Sequence, residues 1–212
     1  MLARPAAVLR LLPLVVPLLA GCAAERALFR PREKVIAESP DGYPAALYVL
    51  DDQGKSVGEV RIWSAGSWRE DDAARRTVIH LGLEIENRTG GRVTLDVDAT
   101  DLRNVSAGAE VTGIERLDVR GTPEVADRSV GRVELLFGLP AGSRGPTELE
   151  GFHAHWLLRG PGERDFEQLT PFRRDYPSAA ERSWHAGFGF YYGWPYWGHP
   201  FYWHRYPHGW YW

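Results

Sequence analysis

Between Ile79 and Val97 the side chains alternate between apolar and polar with a period of two. Ile79, Leu81, Leu83 and Ile85 interleave with His80, Gly82, Glu84 and Glu86. After Asn87-Arg88-Thr89-Gly90-Gly91 the pattern resumes, with Val93, Leu95 and Val97 set among Arg92, Thr94, Asp96 and Asp98. Successive strand residues point to opposite faces, so each run offers one face to a core and the other to water. Two such runs joined by a short Gly-containing turn predict a β-hairpin. Val133, Leu135, Phe137 and Leu139 make another stripe. Phe152, Ala154, Trp156 and Leu158 make a fourth, with His153, His155 and Leu157 on its reverse face. Shorter runs at 47–50, 58–63, 111–119 and 166–169 complete the set.

This is a pattern of seven or eight short strands, separated by clusters of Gly, Pro, Asn and Asp, with no long amphipathic helix. One apolar face per strand implies antiparallel sheets packed face to face. The predicted fold class is all-β, an antiparallel β-sandwich over residues 45–173. In strand number and spacing it resembles immunoglobulin-like domains, including those of many bacterial surface lipoproteins. The chain departs from antibody domains in having no cysteine pair, because Cys22 is its only cysteine. Disulfides and thiolate zinc are thereby excluded, and the core depends on packing alone.

Residues 1–21 are not part of that fold. Arg4 and Arg10 precede an apolar run from Leu11 to Ala20, and no acidic residue occurs before Glu25. Ten helical residues reach about 15 Å, roughly half a bilayer's hydrocarbon core, so the run reads as a secretory signal and not as a membrane span. It ends in Leu19-Ala20-Gly21-Cys22, which resembles the lipobox of bacterial lipoproteins. The resemblance implies cleavage before Cys22, lipid on its thiol, and an address in the bacterial cell envelope. Ala23 in place of Asp after the cysteine implies sorting to the outer membrane. Multiple acyl chains would hold the protein firmly, since each buried methylene contributes about 0.8 kcal/mol.

Removing residues 1–21 takes Arg4 and Arg10 from the 25 basic residues and none of the 28 acidic ones, leaving a formal charge of −5. That balance offers no basic footprint for nucleic acid. Residues 22–44, with Arg26, Arg30, Arg32, Glu33 and Lys34 before Ser39-Pro40-Asp41-Gly42, read as a polar tether ending in a turn.

The stretch 174–212 is a different material. From Trp184 to Trp212, fifteen of 29 residues are aromatic, and Arg205 is the only charged side chain apart from histidines. Gly and Pro at this density interrupt helix and strand, which predicts a compositional tail without a fold of its own. Trp194, Trp197 and Trp203 are its candidate binding residues. They are suited to a membrane interface, to stacking on cell-wall polysaccharide, or to another envelope protein. The tail could also fold back over the sandwich or self-associate. His199, His204 and His208 are candidate ligands for copper or zinc.

Within the body, His153 and His155 put two rings on one strand face, with His80 as the nearest third ligand. Asp51-Asp52 and Glu70-Asp71-Asp72 are carboxylate groupings that lack the spaced ligands and central Gly of a calcium loop, whereas Asp96, Asp98 and Asp101 are a better-spaced set at a strand end. Ser64, Ser67, Ser106 and Ser129 have no Gly-x-Ser-x-Gly context, and Glu148 and Glu150 have no opposing carboxylate in sequence reach. Asn87-Arg88-Thr89 and Asn104-Val105-Ser106 match a glycosylation sequon. No catalytic residue and no cofactor is implied. The sequence reads as a non-catalytic envelope binding or scaffolding module, with a metal-binding envelope protein as the alternative.

Overall fold

The computed structural model describes residues 25–33, 36–70, 75–162 and 164–176. Thirteen strands are present among them: β1 (Arg26–Pro31), β2 (Ile36–Glu38), β3 (Pro44–Asp52), β4 (Lys55–Arg69), β5 (Thr77–Asn87), β6 (Val93–Leu95), β7 (Asp101–Ser106), β8 (Glu110–Val111), β9 (Glu115–Gly121), β10 (Glu124–Val125), β11 (Ser129–Gly138), β12 (Gly151–Arg159) and β13 (Asp165–Asp175). The sole helical element in this part of the chain is a single 3-10 turn at Pro146–Glu148. The class is therefore all-β, as the alternation requires. The strands form one antiparallel sheet curled into a half-barrel, in the order β10-β6-β12-β13-β1-β4-β5-β11-β9, with β3 beside β4 and β7 beside β12. The count exceeds seven or eight because β1, β2, β7 and β10 fall outside the expected runs and the run at 111–119 is divided. The turn at 97–99 separates β6 from β7, and Gly113, at φ +74°, separates β8 from β9.

The hairpin expected from Ile79 to Val97 does not form. Both edges of β5 are occupied, by β4 on one side and β11 on the other, so no hydrogen-bonding edge remains for β6. The connection carries the chain across to the other half, where β6 pairs with β12 and β10. Asn87 directs this crossing. Fully buried, it donates from Nδ2 to the carbonyls of Gly91 and Val125, at 2.8 and 2.9 Å, while its Oδ1 accepts from the Thr89 amide and hydroxyl. This Asn87 is thus a structural group and not a sugar acceptor.

The tether reading of residues 22–44 also needs correction. Residues 26–31 are β1, with Ala27 and Phe29 buried while Arg26, Leu28 and Arg30 face outward. Arg26 and Ala27 pair with β4, and Leu28 to Pro31 pair with β13, so this one strand joins the two halves of the sheet. The expected turn at Ser39-Pro40-Asp41-Gly42 is present. Gly42 takes φ +80°, and the Ser39 hydroxyl accepts from the Tyr43 amide at 2.9 Å. The last strand among the described residues, β13, runs to Asp175.

The inward faces share one core. Ile62, Leu81, Leu83, Val133 and Leu135 come from the β4-β5-β11 half, and Phe152, Trp156, Leu158 and Phe172 from the β12-β13 half, with Phe29 between. Phe29 meets Phe152 edge-on at 5.1 Å, Phe152 stacks on Phe172 at 4.9 Å, and Tyr48 meets Trp156 edge-on at 5.3 Å. Such ring pairs contribute about 0.5–1.5 kcal/mol each beyond their area. Thr170 satisfies both polar tips, accepting from Trp156 Nε1 at 3.0 Å and bonding the Tyr48 hydroxyl at 2.9 Å. Burial pushes that hydroxyl's pKa well up.

On the outer face, Trp63 is also fully buried, lying over Gly82 of the neighbouring strand with the Arg132 guanidinium 5.2 Å from its ring centre. A Cβ on Gly82 would fall 2.4 Å from Trp63 Cε2, so only glycine fits. Gly82→Ala should therefore cost about 1–3 kcal/mol by overpacking. Urea unfolding should show most of that loss removed when Trp63→Leu is added. Equal losses in both backgrounds would refute the steric account.

Candidate functional site

The polar residues singled out by sequence gather around two histidines, one on the outer face of each half. His80 belongs to β5, and its position is set by a bulge in β4. Between Trp63 and Gly66 the register shifts, leaving an extra residue opposite β5. A bulge of this kind frees backbone groups from the ladder. Here the Ala65 amide donates to His80 Nδ1 at 3.0 Å, and Ser64 Oγ donates to the His80 carbonyl at 2.6 Å and accepts from the Gly66 amide at 3.1 Å. Because Nδ1 accepts, the ring carries its proton on Nε2, which stands 3.9 Å from Glu134. Glu134 is also held by Arg132, which pairs with Asp41 of the Ser39–Tyr43 turn. The His80 ring first, then Arg132, hold the Glu134 carboxyl down to about 2 against the opposing effect of burial.

Serine, histidine and glutamate thus meet at one place, but not as a proton relay. A general base would turn a free ring nitrogen toward the serine hydroxyl. Ser64 is buried and bonds the His80 backbone, while Nδ1 is taken by an amide. The arrangement fastens the bulge and the 39–43 turn to the outer face.

His155 sits on β12, nearly buried, beneath the turn that links β6 to β7. Its Nε2 lies 2.6 Å from Glu167 Oε1 on β13. Its Nδ1 lies 2.8 Å from the Ala99 carbonyl and 2.9 Å from the Arg103 guanidinium, with Asp101 3.6 Å away. One nitrogen cannot donate to the carbonyl and accept from the guanidinium at once. Which of the two contacts Nδ1 makes is set by the ring's tautomer. His153 faces outward beside it and contacts Asn104 Nδ2 at 3.1 Å.

The remaining candidates are spread out. Asp96, Asp98 and Asp101 do not converge, because each is drawn to a different arginine: Arg159, Arg116 and Arg103. The Asp96 carboxyl is held below its usual range, first by the Ala99 amide and then by Arg159. Asp51 caps the Gly54 amide at 2.8 Å, and Asp52 pairs with Arg164 at 2.5 Å. Glu150 accepts from Ser106, and Glu148 reaches back to the Gly145 amide. His80 is not brought to His153 and His155, since it lies on the other half of the sheet. Among the described residues no group of three or more His, Cys, Asp or Glu side chains could hold a metal ion. A shallow depression of about 360 Å³, lined by Glu86, Arg88, Asp127, Arg128 and their neighbours, opens at the far end of β5 and β11.

Cys22, Asp71, Asp72, Trp194, Trp197, Trp203, His199, His204 and His208 lie outside the described residues. No helix among the described residues is long and apolar enough to cross a membrane. No protein-family model and no curated protein sequence matches the chain.

The two outer-face clusters were only partly visible in sequence. The alternation marks His80 and His155 as outward-facing, yet both are covered, by a bulge in one case and a turn in the other. The Glu134 carboxyl yields a pH prediction. Its folded pKa is depressed from the ordinary 4.5 to about 2, so its contribution is complete above 4.5 and is lost as pH falls toward 2. The urea midpoint should drop across that window, and Glu134→Gln should flatten the drop. An unchanged acid slope in the variant would remove Glu134 from the account.

Proposed function

We propose that this chain is a bacterial lipoprotein, anchored in the cell envelope through lipid on Cys22, whose folded module binds or scaffolds other envelope components without catalysing a reaction. The observation that carries this reading is Leu19-Ala20-Gly21-Cys22, placed directly after a signal-like apolar run and containing the only cysteine in the chain. The outer membrane is the proposed destination, on the strength of Ala23. The partners are the membrane, reached through the lipid, and a cell-wall polysaccharide or another envelope protein.

Within this reading the curled sheet is an immunoglobulin-like β-sandwich followed by a tail without its own fold. Three features support the sandwich: the single core shared by both halves, the ring contact of Tyr48 with Trp156 across it, and a first strand that pairs in both halves. The non-catalytic part draws support from the outer-face polar groups, whose hydrogen bonds fasten turns and bulges in place.

Metabolic labelling with radioactive palmitate is the direct test. The wild-type chain should take up label and fractionate with membranes, whereas Cys22→Ser should take up none and shift to the soluble periplasmic fraction. A wild-type chain that never acquires label sinks the proposal.

A further inference from the structure

We propose that the outer face of β1 and the end of β13 form a docking surface for the phosphate groups of anionic membrane lipids, with Arg32 and Arg173 as its free arms and Arg30 between them. The strand register brings the three together. Ala27 and Phe29 are buried, so Arg26, Leu28 and Arg30 turn outward, and Arg32 follows in the same phase. In the antiparallel pairing with β13, Arg30 lies directly opposite Arg173. The Arg32 amide continues the ladder by donating to the Pro171 carbonyl at 2.9 Å, which sets Arg32 diagonally across from Arg173 on the same face. Directly opposed side chains start about 5 Å apart and diagonal ones about 7–8 Å apart, within the span of two arginine side chains. One anionic group can therefore meet both guanidinium forks.

Like charges placed directly opposite one another weaken a sheet. The fold cancels only one of these charges, since Asp175 pairs with Arg30 and is itself largely covered. Arg32 and Arg173 are exposed and have no carboxylate partner among the described residues. The nearby Glu150 is turned to the Ser106 hydroxyl. Two further arginines at this end bond to carbonyls and keep their charge, Arg26 to Ala65 at 2.6 Å and Arg174 to Thr147. The net charge of −3 hides this local excess, because other arginines are paired, as Arg61 is with Glu84 and Arg159 with Asp96. A guanidinium is a planar, weakly hydrated fork that matches phosphate oxygens two at a time. The arms stand on an open sheet face, which suits a layer of headgroups better than a single dissolved anion. The choice of membrane rests on the lipoprotein reading: Arg26 follows Cys22 by four residues and Arg32 by ten, so lipid on that thiol would hold β1 beside the headgroups.

The test uses the mature chain from residue 22 carrying Cys22→Ser, so that no acyl group contributes. Vesicles of phosphatidylcholine, with or without phosphatidylglycerol, are the probe. The chain should prefer the anionic vesicles, and that preference should vanish in about 0.5 M salt. Adding Arg32→Ser and Arg173→Ser together should weaken binding to anionic vesicles about tenfold or more, and leave binding to phosphatidylcholine unchanged. A control with Arg92→Ser and Arg128→Ser removes the same charge at the far ends of β12 and β5, and should bind as the parent does. Arg173→Ser alone should keep or raise the urea midpoint, because it relieves the opposition to Arg30. The proposal is overturned if the Arg32/Arg173 variant binds anionic vesicles as the parent does, or if the control loses as much. It is also overturned if the parent binds inorganic phosphate saturably but shows no preference for anionic vesicles, or if Arg173→Ser lowers the urea midpoint, which would make that side chain part of the fold. Palmitate labelling reads none of these quantities, so a failed basic surface and a failed lipid anchor are told apart.

Discussion

The pairing of β1 with two partners is the interaction on which the rest of the structure depends. Through Arg26 and Ala27 the strand continues the β4-β5-β11 half, and through Leu28 to Pro31 it continues the β12-β13 half. Its inward residue Phe29 meets Phe152 and sits where the two halves converge. Without β1, the end of β4 beyond its pairing with β3 and the edge of β13 at 172–175 would be unpaired, and the core would be open to water there. A chain with no disulfide has no covalent substitute for that closure. Complete burial of one phenylalanine, worth about 1.5–3 kcal/mol, is a considerable share of the few kcal/mol that separate folded from unfolded domains.

Much of this fold was legible because burial on one face leaves a period of two in the sequence. The stripes at 79–85, 133–139 and 152–158 became β5, β11 and β12 with the expected faces inward. What was not legible was partnership. The local pattern from Ile79 to Val97 favours a hairpin, and nothing in it records that β11, some forty residues later, takes the edge of β5. β1 was missed for a different reason. Arg26-Ala27-Leu28-Phe29-Arg30-Pro31 does alternate, but arginines at both ends give it the composition of a linker, and composition outweighed period.

The histidine clusters were hidden in a similar way. Periodicity can say that His80 and His155 point away from the core, but it cannot say that a bulge amide or the Ala99 carbonyl will cover them. Asp96, Asp98 and Asp101 look like a spaced ligand set on paper, yet Arg159 and Arg116, both distant in sequence, draw off Asp96 and Asp98, while Asp101 pairs with nearby Arg103. Long-range charge pairing of this kind leaves no local signature. It turns the outer surface into a set of cross-strand clasps, each of modest strength where exposed to solvent.

The union of the first strand with the last has a consequence for how such a chain is made. Contacts between residues about 145 apart can form only after nearly the whole module has been synthesised. A topology so rich in distant pairings folds slowly compared with one built from local contacts. The half-barrel therefore cannot close until the chain has been made as far as residue 175. Until then Phe29, the end of β4 and the edge of β13 stay uncovered, the interval in which such a chain most needs a chaperone.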